Sequence, residues 1–80
     1  MLKNLQSLKL HEAMVIILLD QPNFSADAQI ISDKIYERSL YLKKDDGKAE
    51  SFQIRLRAKN YSNLFEVNGR TIELSIALKH

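Results

Sequence analysis

The chain contains no cysteine, which excludes disulfides and thiolate metal sites outright. Its two histidines, His11 and His80, lie at opposite ends, so no histidine-based ligand cluster is expected. The only two glycines, Gly47 and Gly69, both sit at turn signals, and a glycine-rich phosphate loop is therefore missing. Long hydrophobic runs are missing as well. The longest, Met14 to Leu19, is bracketed by Glu12 and Asp20 and is far too short to span a bilayer. Leu2 to Leu10 mixes polar and apolar residues without a small-residue cleavage site, unlike a signal peptide. These absences predict a soluble cytoplasmic domain with no metal, no cofactor, no small-molecule ligand and no membrane partner.

Eighty residues suffice for one core, and a core of that size is marginal without staples. Stability must come from packing or self-association. The net charge of +2 is small, but it is unevenly spread. Residues 1–42 hold four basic against five acidic residues, and residues 43–80 hold eight against five. Clustering in the second half would give a phosphate-facing patch; the alternative is an ordinary surface of mixed solvated charges.

Residues 1–9 read as an N-terminal arm in which Leu2, Leu5 and Leu8 recur every three positions, and residues 10–80 as the domain. Leu10, Ala13, Met14, Ile17 and Leu18 follow the stripe of a core-facing helix over Leu10–Leu19. A strand over Met14–Leu19 competes, but the length and Glu12 in the first turn favour helix. Val15, Ile16 and Leu19 widen the stripe and predict burial on several sides. Pro22 ends the segment in a turn over residues 20–23.

Ser25 is the expected N-cap of a second helix, with Asp27 in its first turn. Ala28, Ile31, Ile35 and Leu42 would face the core, with Ile30 and Tyr36 flanking and the helix ending near Arg38 or Ser39. Residues 43–49 form a charged loop with Asp46-Gly47 as its turn signal. Within Ser51–Lys59, Phe52, Ile54, Leu56 and Ala58 alternate with polar residues, a strand pattern. The same residues are good helix formers with Ser51 as N-cap, so local rules leave this segment open. Leu64–Val67 and Arg70–Leu74 flank Asn68-Gly69, a dipeptide suited to a type I′ hairpin turn. Ser75–Leu78 would prolong the second strand.

Several stretches together resemble the HARE-type helix-turn-helix domains, a winged-helix family. They are Leu10-His11-Glu12-Ala13-Met14, Ile30-Ile31-Ser32-Asp33-Lys34-Ile35, Leu40-Tyr41-Leu42-Lys43-Lys44, Gln53-Ile54-Arg55-Leu56-Arg57-Ala58-Lys59-Asn60-Tyr61 and Leu64-Phe65-Glu66-Val67. That family includes domains attached to restriction-type nucleases and the folded part of the RNA polymerase delta subunit. The resemblance implies an α+β winged helix, three helices followed by a C-terminal β-hairpin wing. It makes residues 50–60 the third helix, in the position of a recognition helix. Ile54, Ala58 and Tyr61 then turn to the core, Gln53, Leu56 and Asn60 turn away, and Arg55 and Arg57 lie on the flanks.

No constellation for catalysis is present. His11 and Glu12 are helix neighbours that point in different directions and His11 reads as a surface residue, while Asp45-Asp46 is too small a set for a hard cation. The expected activity is binding, not chemistry. Gln53 or Asn60 would bond adenine edges and Arg55 or Arg57 guanine edges in the major groove of double-stranded DNA. Lys43, Lys44, Lys48 and Lys59 would neutralise phosphates, and Arg70 would reach the backbone from the wing tip. The competing expectation is a protein-interaction or homodimer module of a transcription or restriction-type assembly, because Leu2, Leu5, Leu8, Phe52 and Leu56 are apolar residues a small monomer struggles to bury.

Overall fold

A computed structural model of the chain describes residues 8–41 and 47–75. They form α1 (Leu10–Leu19), a 3-10 turn (Pro22–Phe24), β1 (Ser25–Asp27), α2 (Ala28–Glu37), α3 (Ser51–Asn60), β2 (Phe65–Asn68) and β3 (Thr71–Leu74). The α+β expectation holds, with one strand more than the sequence suggested.

The anticipated stripe of α1 is the buried one: Leu10, Ala13, Met14, Ile17 and Leu18 all reach the core. Ile16 and Leu19 are exposed, so the helix is covered on one side and not all round. At its start the Glu12 carboxylate accepts a hydrogen bond from the Lys9 amide at 2.9 Å, satisfying a donor that the helix ladder leaves open. Leu42, the turn at Asp46 and most of the N-terminal arm lie outside the described residues.

The second helix begins later than expected. Ser25 is not its N-cap; Asp27 is, accepting from the Gln29 amide at 2.7 Å. Ser25–Asp27 instead forms β1, paired antiparallel with β3. Ser and Asp are comparable caps; pairing with β3 holds Ser25–Asp27 extended and leaves Asp27 to start the helix. Ala28, Ile31, Ser32 and Ile35 are buried on α2, while Ile30 and Tyr36 are exposed. The helix stops at Glu37, with Ser39 in the left-handed region at φ 54°. The Ser39 amide bonds to the Tyr36 carbonyl and the Leu40 amide to the Ile35 carbonyl, both at 3.1 Å. That pair of bonds is a Schellman ending, usually built around glycine.

Residues 51–60 are helical, as the resemblance implied and periodicity alone did not. Ile54 and Ala58, one turn apart, are buried, and the N-cap is Glu50, not Ser51. The hairpin also differs by one residue from expectation. Asn68 pairs with Thr71, so the two turn residues are Gly69 and Arg70. Gly69 has φ 63° and Arg70 is not among the positive-φ residues, which matches a type II′ turn, where glycine takes the first central position.

Strand order is β1-β3-β2. Ile72 at the centre lies opposite both Ala26 and Val67, and Leu74 lies opposite Phe65. This face closes the core formed by the three helices. The Ala28 amide donates to the Arg70 carbonyl at 2.8 Å, tying the hairpin tip to the start of α2. β3 ends at Leu74, and the Ser75 amide bonds to the Leu64 carbonyl at 2.8 Å. Residues 76–78 lie outside the described residues.

Candidate nucleic-acid interface

Two contacts set the entry to α3. The buried Ser32 hydroxyl on α2 donates to the Ala49 carbonyl, fixing the chain immediately before the helix. Lys48 forms an ion pair with Asp33, which also accepts from Gln29 Nε2 at 3.1 Å. The Lys48 hydrogen bond, with help from Gln29, holds the Asp33 carboxyl below the usual aspartate range, and Asp33 in turn raises the Lys48 ammonium above its ordinary value. The charge of Lys48 is therefore compensated within the fold. Lys43 and Lys44 lie outside the described residues.

At the far end of α3, Tyr61 stacks on His11 from α1, with ring centroids 3.9 Å apart and planes 16° from parallel. His11 is thus half-buried rather than a plain surface residue. Its Nδ1 and the Nε of Arg55 are enclosed without a hydrogen-bond partner among the described residues. His11 and Tyr61 are fifty positions apart, and nothing local in the sequence announces their stacking.

The sequence of α3 carries Arg55, Arg57 and Lys59 and no carboxylate. Among the described residues none of the three forms an ion pair, whereas Arg38 pairs with Asp20, Lys48 with Asp33, and Arg70 more loosely with Asp27 at 3.8 Å. Arg55 and Arg57 are both half-buried, and Lys59 and Asn60 are exposed. Gln53, Leu56, Arg57 and Asn60 form one wall of an open groove of about 240 Å³, facing Leu10, Tyr41 and Ala49.

Gln53 has a structural task that its sequence position did not suggest. Its Oε1 accepts from the Glu50 amide at 2.8 Å, capping the helix from its third position. With that oxygen engaged, Gln53 is poorly placed to form a two-bond contact to adenine, which needs the whole amide. Placing the N-cap at Glu50 instead of Ser51 would have revealed this. Two exposed positions of α3 are apolar: Phe52 is 56% and Leu56 53% exposed. The Arg70 side chain, at the hairpin tip, is 74% exposed.

Among the described residues, no group of three or more His, Asp or Glu side chains is placed to hold a metal ion, and no helix is long and apolar enough to cross a membrane. Comparison with family models, with curated proteins and with solved structures found no match.

Proposed function

We propose that this chain is a non-catalytic winged-helix domain of the HARE type that binds duplex DNA through α3. The helix order, with a hairpin following the third helix, supports the layout that the sequence resemblance implies. Fold likeness alone does not assign a function, so the weight falls on one observation. Among the described residues Arg38, Lys48 and Arg70 pair with aspartates, and of the five lysines and arginines without an ion pair, three, Arg55, Arg57 and Lys59, lie on α3. A ten-residue helix bearing three such cations suits a polyanion.

In this reading α3 enters the major groove. Lys59 and Arg55 contact phosphates, Arg57 contacts a phosphate or the O6 and N7 acceptors of guanine, and Asn60 contacts adenine. Arg70 reaches the backbone by exchanging its loose contact with Asp27 for a phosphate. Lys48 drops out, being held by Asp33, and Gln53 acts as a helix cap. The hairpin, with four-residue strands and its tip tied to α2, steadies the core more than it reads DNA.

The test is fluorescence anisotropy on random-sequence duplex at low salt. Arg57→Glu abolishes binding, and Lys34→Glu on α2 leaves it intact. Equal binding by both variants, each confirmed as folded by circular dichroism, refutes the assignment of α3. A second reading, a protein-interaction surface, is favoured by the exposure of Phe52 and Leu56. It predicts a stable oligomer or complex by light scattering without DNA.

A further inference from the structure

We propose that Phe52 and Leu56 read the C5-methyl groups of thymine, which makes α3 a reader of A·T-rich duplex. This rests on the DNA-binding reading above and goes further, assigning the class of sequence recognised.

The two side chains are four positions apart on α3, opposite the buried Ile54 and Ala58. Residues at this spacing line one face of a helix, and their separation along the axis is about 6 Å. Base pairs rise by about 3.4 Å, so the pair spans about two base steps. Asn60, four residues further and exposed, continues the same row.

Neither Phe nor Leu can donate or accept a hydrogen bond. In the major groove the one apolar feature among the base edges is the thymine methyl, and the minor groove offers none. Facing G·C pairs, the same side chains would strip water from the guanine acceptors and the cytosine amino group with no bond in exchange. Asn60 completes the pattern, because its amide matches N6 and N7 of adenine. The row Phe52–Leu56–Asn60 is therefore complementary to thymines and a nearby adenine.

Charge fixes the occupant of this apolar crest. Arg55, Arg57 and Lys59 flank it without a carboxylate partner among the described residues. A second copy packing crest to crest would bring like charges together, which opposes self-pairing, whereas a duplex supplies phosphates on both sides of the groove. Both side chains are more than half exposed in the folded chain, so they are free to meet a base without rearrangement of the core.

The experiment compares three duplexes of equal length by anisotropy at fixed salt: an A·T-rich one, the same with every thymine replaced by deoxyuridine, and a G·C-rich one. Deoxyuridine differs from thymidine only by the missing methyl. Removing one buried methyl weakens binding about fourfold, the value of about 0.8 kcal/mol at about 1.4 kcal/mol per tenfold. Two methyls, one under each side chain, thus give a loss of roughly tenfold or somewhat more. The Phe52→Ala/Leu56→Ala variant loses the preference for thymine over deoxyuridine and keeps its salt dependence. Equal affinity for the thymine and deoxyuridine duplexes overturns the inference, even if A·T is preferred over G·C, since that preference would then come from groove shape. No binding to any duplex at low salt overturns the DNA-binding reading itself.

Discussion

Replacing Ser32 with alanine tests how α3 is held in place. Ser32 is the one buried polar residue in the core of the described chain, and its hydroxyl is the partner of the Ala49 carbonyl. Ala49 is itself buried, and Glu50, the next residue, caps α3. Deleting the hydroxyl leaves that carbonyl enclosed and unpaired, at a cost of about 1–3 kcal/mol. A central value of about 2 kcal/mol is a large share of the stability of a domain this small. In urea, with a slope of about 1 kcal/mol per molar for small chains, the midpoint falls by about 2 M. The slope itself should not change. The measurement is urea unfolding followed by circular dichroism, with Ser62→Ala as an exposed control that shifts stability by less than about 0.5 kcal/mol. Hydrogen exchange adds a local check. The amides of Gln53 and Ile54, which bond to the Glu50 carbonyl at 2.9 and 3.1 Å, should lose protection in the Ser32→Ala protein. A Ser32→Ala variant as stable as the control refutes the claim that this contact anchors α3.

Ser39→Gly relieves the left-handed backbone at the end of α2, where an L-residue costs about 1–2 kcal/mol; less the entropy gained by the unfolded chain, a net gain of about 0.5–1 kcal/mol should raise the melting temperature by several degrees. A double-mutant cycle with His11→Ala and Tyr61→Ala should return a coupling of about 0.5–1.5 kcal/mol for the stacked pair, and additive effects would mean that the stack holds nothing together. The Asp33–Lys48 pair gives a pH signature. Asp33 titrates below its ordinary value of 3.8, so its contribution is present above that value and is lost as pH falls through the lowered one. Lys48 titrates above 10.5, so its contribution is present below that value and is lost as pH rises through the raised one. The stability difference between the parent and Asp33→Asn should therefore be flat between about pH 5 and 9 and fade at both ends. It should also shrink in high salt, because both groups are exposed.

How far the fold could be read from the sequence differs from element to element. α1 was legible because its five buried residues all follow helical spacing. α3 was not, because Phe52 and Leu56, two of the four apolar residues that create its alternation, face solvent. A rule that equates apolar with buried reads that helix as a strand. β1 left no trace in local pattern: Ser25-Ala26-Asp27 has no hydrophobic alternation, and it is extended because β3, more than forty residues later, offers an edge. The hairpin was visible, but glycine at the first central position rather than the second moved the turn by one residue. At the candidate site, the outward placement of Arg57 and Asn60 followed once the resemblance made the segment a helix. The compensation of Lys48, the enclosure of Arg55 and the capping by Gln53 did not, since each depends on a partner whose position only the fold defines.

The central claim, that the cations of α3 meet a polyanion, is tested most directly by the salt dependence of duplex binding. With Arg55, Lys59 and Arg70 on phosphates and Arg57 on a phosphate or a guanine, three to four neutralised phosphates give a slope of log affinity against log salt of about −3. The Arg57→Gln/Lys59→Gln variant should reduce the magnitude of that slope by about 1–2. A slope near zero, or one that the double variant leaves unchanged, contradicts the account.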